Sequence, residues 1–415
     1  MNNETLLKEL GVHPDCIDKE KLTDEISKHM QMGLSGTEGT MMMIPTYLKA
    51  EGHIEKGVPV AVIDAGGTNL RTASVLFDEN GSRISGLSRT GMPGTKGQIT
   101  ADEMFDVFAE KVMPVMPDSG RLALCFSYAF ESLPDGEGRI ITMGKEVDVR
   151  DAEGTLIADG MQRAMRRAGY EGELHISVLN DTAAVLYSAL ATGEGDAASL
   201  ILGTGLNTAY FERSNRIGKL PGLPQGRMAI NMEAAYFSAV PAGAVDDDID
   251  SASRNPGKAR LEKMVSGAYL GAIAKECIER FAGRSMISRS AAGSIDSVLR
   301  IQDMSEFLEC GTGRLAEIFD GESDARAVKD IISAVERRAG RITACLVASV
   351  MRRMRENGSD GVLPLAVNGS TLLLNSVIRS EFTDTLDSIP GVGRYRLIAS
   401  DDDTILGTAA ASFLG

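Results

Sequence analysis

The stretch Val58-Pro59-Val60-Ala61-Val62-Ile63-Asp64-Ala65-Gly66-Gly67-Thr68-Asn69, running on into Leu70–Phe77, decides the fold. Residues Val58–Ile63 form an apolar run rich in β-branched side chains, which predicts a buried strand ending in a carboxylate. Leu70–Phe77 predicts a second strand. Gly66 and Gly67 carry no Cβ, so the backbone between the strands can turn with φ > 0 and aim its N–H groups at an anion. Thr68 and Asn69 add a hydroxyl and an amide at the same place. Asp64 stands where a phosphate-bound cation takes an oxygen ligand, for Mg²⁺ commonly through water. Taken alone, the same residues also fit an ordinary β-hairpin with a Gly-Gly turn.

A second unit of this kind follows in the other half of the chain. Ala198–Leu202 is an apolar strand, Gly203-Thr204-Gly205 a tight turn, and Leu206–Phe211 a resumed extended pattern. Two such hairpins facing each other across a cleft would grip a polyphosphate from both sides. Neither is a P-loop, since no Lys-Ser/Thr pair follows a glycine turn into a helix. Neither is a dinucleotide fingerprint, since both turns join strand to strand.

The 415 residues exceed one compact core, so two domains are expected. With 43 basic and 58 acidic residues the formal net charge is −15, which argues against a nucleic-acid or anionic-membrane surface. An anionic substrate would therefore need a locally positive site. The cysteines, at 16, 125, 277, 310 and 345, are odd in number, scattered and without a C-x-x-C pair, which fits free thiols in a reducing, cytoplasmic setting. His13, His29, His53 and His175 show no metal-ligand spacing, so no zinc site is expected. The N-terminus predicts an amphipathic helix rather than a signal peptide, and no apolar run is long enough to span a bilayer.

Residues up to about Ala50 predict mainly helix. Strands are expected at Val58–Ile63, Leu70–Phe77, Arg83–Thr90 and Arg121–Ser127, with helices at Ala101–Met113 and Thr155–Ala168. The pattern restarts with a strand over Leu174–Leu179, a helix at Ala183–Ala191 and the strand Ala198–Leu202. Long helices are expected at Leu261–Phe281 and Asp324–Glu356, then a strand at Leu363–Val367. Gly311-Thr312-Gly313 resembles a phosphate turn but follows no strand, so it predicts a helix break. Strands and helices mixed in two similar halves predict an α/β protein with two lobes.

Asn180-Asp181-Thr182 follows a strand and opens a helix. Asp181 there is either an N-cap or a general base taking a proton from a hydroxyl as a phosphoryl group arrives. Ser127, Lys145, Glu233 and Glu262 lie where a polyhydroxyl ligand would need donors and acceptors, although each alone also fits a solvated surface group.

These segments together resemble the hexokinase family, in its eukaryotic-type branch, within the sugar kinase/Hsp70/actin superfamily. The resemblance is carried by Met43-Ile44-Pro45-Thr46-Tyr47, Asp64–Arg71, Phe126-Ser127-Tyr128, Leu179–Thr182, Leu202–Asn207, Asn231-Met232-Glu233, Asn255–Gly271 and Ala366–Ser370, in the family's order along most of the chain. It implies a two-lobed, ribonuclease H-like (actin/hexokinase-type) α/β fold with a central cleft. The small lobe is expected at 58–179, with a C-terminal helix of about 404–415 packing back on it, and the large lobe at 1–57 with 180–403. The resemblance implies ATP-dependent phosphorylation of a hexose 6-hydroxyl with Mg²⁺. In it Asp181 acts as base with Lys145 beside it, and Ser127, Lys145, Asn180, Asp181, Asn207, Glu233 and Glu262 hold the sugar. It also implies that Asp64, Gly66, Gly67, Thr68, Asn69, Arg71, Gly203 and Thr204 handle the phosphates, that Gly369 and Ser370 flank the adenosine, and that Asp64 meets the metal.

Several positions depart from the family pattern. Trp-Thr-Lys-Gly is replaced by Met143-Gly144-Lys145-Glu146, the proline after the sugar-binding strand by Ala129, and the Asp-Gly-Thr adenosine turn by Asn368-Gly369-Ser370. The glycine-rich Ser-Gly stretch near the nucleotide is replaced by Ser400–Gly407, whose carboxylates Asp401, Asp402 and Asp403 are expected to cap the following helix. A kinase for mannose, fructose or an amino sugar, and a non-catalytic sugar sensor, are the alternatives these departures keep open.

Overall fold

The structure is a computed structural model and describes residues 2–144, 147–295 and 299–414. Two sheets organise it. In the five-stranded sheet the order is His175–Leu179, Arg121–Phe126, Val60–Ala65, Asn69–Asp78 and Gly81–Gly91. Val60–Ala65 is central, parallel to Arg121–Phe126 and antiparallel to Asn69–Asp78, and every residue in it is buried. That is why the strand is apolar on both faces up to Asp64 rather than alternating.

The six-stranded sheet repeats the plan. Ala198–Leu202 pairs antiparallel with Leu206–Arg213 and parallel with Leu363–Asn368; Arg227–Asn231 and Tyr395–Ile398 extend it on the two sides. In each half the first three strands form an antiparallel meander and the last two add in parallel on the other side of the first strand.

The larger sheet has one more strand, Ile44–Lys49, antiparallel to Arg227–Asn231. This corrects the expectation of helix up to about Ala50. Helices do form at Asn3–Glu9 and Lys19–Ser35, but Pro45 cannot continue a helix and is tolerated on an edge strand. The edge is irregular between Pro45 and Lys49, where Tyr47 takes φ 60°. The helix expected at Leu261–Phe281 is likewise two helices, Arg260–Val265 and Gly267–Gly283. The extended Ser266 between them lets the Gly267 N–H reach the Gly203 carbonyl at 2.8 Å. Gly311–Gly313 is a helix break, with Gly311 ending Ile301–Cys310 in the left-handed conformation.

The last strand of each half runs into a helix: His175–Leu179 into Asp181–Ala191, and Tyr395–Ile398 into Asp403–Ala411. These two helices pack on each other at backbone distance. A Cβ on Gly407 would lie 1.7 Å from the Ala184 carbonyl oxygen and 2.7 Å from the Ser188 nitrogen. The C-terminal helix also sets Ile405, Ala409 and Ala410 against Val60, Val62, Val75 and Phe77 of the five-stranded sheet.

Because no neighbour at Gly407 can yield without moving a helix backbone, Gly407→Ala should lower stability by about 1–3 kcal/mol or more. Urea unfolding of the variant against the parent measures this, and an unchanged midpoint would show that the two helices can separate freely.

Candidate active site

A cavity of about 830 Å³ lies between the two glycine turns. Asp64, Gly66, Gly67, Thr68, Asn69 and Arg71 reach it from the first hairpin, Ser127 and Gly144 from the same lobe, and Thr204, Glu233 and Glu262 from the other. Lys145, expected beside the base, lies outside the described residues.

The first turn works differently from expectation. Neither Gly66 nor Gly67 takes a positive φ; the turn closes through Gly66 N–H donating to the Asn69 carbonyl at 2.9 Å. What glycine supplies is clearance, since a Cβ on Gly67 would meet nothing within 4 Å. The backbone is thus bare toward the cleft. Tyr128 pins it: its hydroxyl donates to the Gly66 and Gly67 carbonyls at 2.8 and 3.2 Å. In trans peptides the N–H opposes the C=O, so the Gly67 and Thr68 N–H groups point away from Tyr128.

Asp64 and Arg71 are cross-strand partners. Arg71 Nε donates to Asp64 Oδ2 at 2.8 Å, Arg71 Nη2 joins the same oxygen, and the Thr404 hydroxyl donates to it at 3.1 Å. Arg71, expected on the phosphates, therefore spends its guanidinium on Asp64. Its own cross-strand neighbour is Arg89, which lines the cavity and donates through Nε to Asn69 Oδ1 at 3.1 Å. With Arg71 matched by Asp64, Arg89 supplies the locally positive spot an acidic chain needs for an anion. The carboxylate of Asp64 and the Thr68 hydroxyl are hard oxygen donors, and this set fits Mg²⁺ held mostly by phosphate and water.

The second turn abuts the predicted adenosine turn. Gly369 takes φ +108°, and a Cβ there would lie 2.3 Å from the Leu202 oxygen and 2.7 Å from the Gly203 nitrogen, so only glycine lets the two turns meet. The Gly203 carbonyl accepts from Gly267 N–H at 2.8 Å and from the Thr371 hydroxyl at 2.9 Å. Thr204 is exposed at the turn tip, and Ser370 opens the helix Ser370–Leu373.

Asn207 organises the end of the cleft around Glu233. Its Nδ2 donates to Asn231 Oδ1 at 2.8 Å and reaches Glu233 Oε1 at 3.4 Å, while its Oδ1 accepts from Thr208 and Ala234 N–H at 2.8 and 3.2 Å. Asn231 Nδ2 also donates to Glu233 Oε1 at 2.8 Å. Asn207 thus positions Glu233. Burial raises the Glu233 pKa, and those amide donors hold it back. Glu262 Oε2 accepts the Leu206 N–H at 3.1 Å, tying it to the second turn. Gly144 lies so close to Tyr128 that a Cβ would sit 3.2 Å from the ring.

The helix starting at Asp181 is capped by Asn180, whose Oδ1 accepts the Ala183 N–H at 3.0 Å. The capping role weighed for Asp181 therefore falls to its neighbour, and one polar atom of Asn180 is committed to it. Asp181 is half-buried; its Oδ1 accepts the Thr182 N–H at 2.7 Å. Its pKa is raised to about 6, chiefly by burial and also by the charges of Glu233 and Asp64, with the Thr182 hydrogen bonds opposing the rise. In the acidic loop, Asp402 makes no side-chain capping bond, whereas Asp403 accepts the Ser400 N–H at 3.1 Å. Arg89 was missed from the sequence, although its place opposite Arg71 follows once Arg83–Thr90 is laid in register. Tyr128 and Tyr236 also line the cavity, which the sequence did not show because nothing local marks a tyrosine as facing a cleft.

Two like-ordered sheets around a polar cleft define a two-lobed, actin/hexokinase-type α/β fold. The chain belongs to the hexokinase family: sequence models of that family, both described as Hexokinase, match residues 4–190 and 197–414. It is 28% identical over 373 residues to Hexokinase-3 of Homo sapiens, which covers 83% of this chain but 39% of that relative. It is also 28% identical over 457 residues to Hexokinase-3 of Arabidopsis thaliana, covering 97% of this chain and 91% of the relative. A hexokinase from Schistosoma mansoni, solved with glucose, superposes with a TM-score of 0.82 at 22% identity, over 99% of this chain and 100% of that one. The chain thus spans about two fifths of the human relative's length and nearly all of the plant one's.

The raised Asp181 pKa has a stability consequence with a definite sign. The folded chain holds this proton more tightly than the unfolded chain, so ionised Asp181 costs stability above about pH 6, and the cost vanishes below its unfolded value near 4. Asp181→Asn should therefore stabilise the fold by about 1–3 kcal/mol at neutral pH and by nearly nothing near pH 4. Urea unfolding at both pH values checks this, and a variant less stable at neutral pH would contradict it.

Proposed function

We propose that this chain transfers the γ-phosphoryl group of ATP to the 6-hydroxyl of a hexose, glucose foremost, with Asp181 as general base. The observation that supports it most is Asp181 itself: a carboxylate at a helix N-terminus, pushed to a pKa of about 6, in electrostatic reach of both the phosphate-turn Asp64 and the sugar-end Glu233. A base poised near neutrality is ionised at working pH yet basic enough to take a hydroxyl proton in the transition state. The Schistosoma hexokinase of like fold was solved with glucose, and the family membership supports hexose phosphorylation.

In this proposal Glu233, Glu262 and Asn180 accept or donate to sugar hydroxyls, with Ser127 and Lys145 facing them from the small lobe. Asn207 and Asn231 keep the Glu233 carboxylate aimed. Bare backbone at Gly66–Gly67 and Gly203–Thr204 presents N–H groups to the phosphates, with Arg89 adding positive charge, and Gly369–Ser370 flank the adenosine. Mg²⁺, when bound near Asp64, supplies charge neutralisation of the triphosphate. The small lobe is taken as 58–179 and the large lobe as 1–57 with 180–403; closing them would exclude water in favour of the sugar hydroxyl. A kinase for another hexose is the second reading, favoured by Gly144, which offers no side-chain hydroxyl beside the sugar end.

A coupled assay of ADP release from Mg-ATP against glucose, mannose, fructose and glucosamine tests this. Turnover with a hexose is expected, glucose among the best; folded protein that binds hexose without turnover would establish a sensor instead. Asp181→Ala should lower kcat by about 10²–10⁴ with hexose binding retained. In the parent, kcat/KM should fall about tenfold per pH unit on the acid side of about pH 6 as Asp181 takes up its proton. An acid limb unchanged in position when Asp181 is replaced would remove it as the titrating base.

A further inference from the structure

Tyr236 faces the cleft and has no part in the chemistry above. It ends a short 3₁₀ turn, Ala234–Tyr236, directly after Glu233. Two non-glycine residues nearby, Glu233 at φ 52° and Ala259 at φ 51°, are held in the left-handed region. Such strained backbone persists only where the surroundings fix it, and it gathers at functional sites. The bend at Glu233 turns the chain back on itself, with Tyr236 N–H donating to the Glu233 carbonyl at 3.2 Å. The bend at Ala259 starts the helix Arg260–Val265, which carries Glu262, and Leu261 N–H donates to the Phe237 carbonyl at 3.2 Å. The two corners are thereby stitched together, and Glu233, Tyr236 and Glu262 line one cavity.

Burial raises the Tyr236 pKa first, and the charges of Glu233 and Glu262 raise it further, so the phenol stays protonated. The side chain is half-exposed in the cleft wall, and its hydroxyl donates to none of the described residues. Carboxylates only accept. A sugar hydroxyl that donates to Glu233 or Glu262 still has oxygen lone pairs to accept with, and Tyr236 is a neutral donor in that wall whose hydroxyl is uncommitted among the described residues.

We propose that Tyr236 is a substrate-contacting, specificity-determining residue of the acceptor site. Its hydroxyl donates to a pyranose hydroxyl whose own proton goes to Glu233 or Glu262, and its ring gives the apolar face of the sugar a flat surface. This rests on the hexose-kinase reading of the same cleft. Tyr236 then couples recognition to the orientation of one ring hydroxyl, because an epimer would turn that oxygen away from the phenol.

The test uses the full chain as Tyr236→Phe and Tyr236→Ala, with glucose binding by calorimetry and steady-state kinetics alongside. Tyr236→Phe, which removes one oxygen and keeps the ring, should raise the glucose Kd and KM about 5- to 20-fold. Tyr236→Ala should raise both further, while kcat and the KM for Mg-ATP stay within about twofold. Across monodeoxy glucoses, one sugar should lose nothing further on Tyr236→Phe; that sugar lacks the partner hydroxyl, and a merely structural tyrosine would not produce this pattern. Glucose Kd values for Tyr236→Phe and Tyr236→Ala within twofold of the parent would overturn the proposal. Parent protein that binds glucose without ATP turnover would sink the kinase reading and leave the Tyr236 contact readable by calorimetry; parent protein that binds no hexose would sink both.

Discussion

The contact between the helices Asp181–Ala191 and Asp403–Ala411 is the constraint on which the rest of the molecule depends. Each helix follows the last strand of one sheet, so their approach at Gly407 and Ala184 fixes one half of the fold against the other. Each also carries a polar group in its first turn. Asp181 opens one helix, and Thr404, hydrogen-bonded to Asp64, lies in the first turn of the other. A helix crossing at backbone distance transmits small shifts directly, since close-packed interiors deform little. The spacing between Asp181 and the first glycine turn is therefore set by Ala184 and Gly407 in the helix crossing.

The electrostatics of the cleft follow from which charges are matched inside the protein and which are not. Arg71 and Asp64 neutralise each other across two strands, and Thr404 completes their bonding. Arg89, opposite Arg71 in register, stays available to an anion. On the other wall, among the described residues, Glu233 accepts from the neutral amides of Asn207 and Asn231. Its charge adds to that of Asp64 in raising the Asp181 pKa, on top of the dominant cost of burial. In the proposed reaction Asp181, whose proton affinity is raised toward neutrality, is the carboxylate suited to taking a proton where a phosphoryl group arrives.

The glycines divide by the kind of room they provide. Gly67 leaves open space toward the cleft, whereas Gly369 and Gly407 let backbone meet backbone, and only Gly369 of these three also needs a left-handed φ. The sequence shows the same letter in all three places. Expecting φ > 0 at Gly66 and Gly67 was wrong because clearance and torsional freedom leave identical marks in a sequence. Only the surroundings tell them apart.

What the sequence by itself determined was the set of local signals: the apolar run Val58–Ile63, the two glycine turns, the strand-to-helix step at Asn180-Asp181, and the ordered motifs that carry the family. These depend on neighbours in the chain, and hydrophobic patterning and turn chemistry act at that range. Tertiary structure decided whatever needed a partner far along the chain. The strand Ile44–Lys49 exists because Arg227–Asn231 offers it an edge; the break at Ser266 exists because Gly267 bonds to Gly203. Arg71 turned to Asp64 and Thr404, Asn180 took the cap, and Tyr128 and Tyr236 acquired their places through contacts no window of sequence contains. Asp181 joins the two levels: its position at a strand end was legible, but its proton affinity came from burial and from carboxylates brought beside it by the fold.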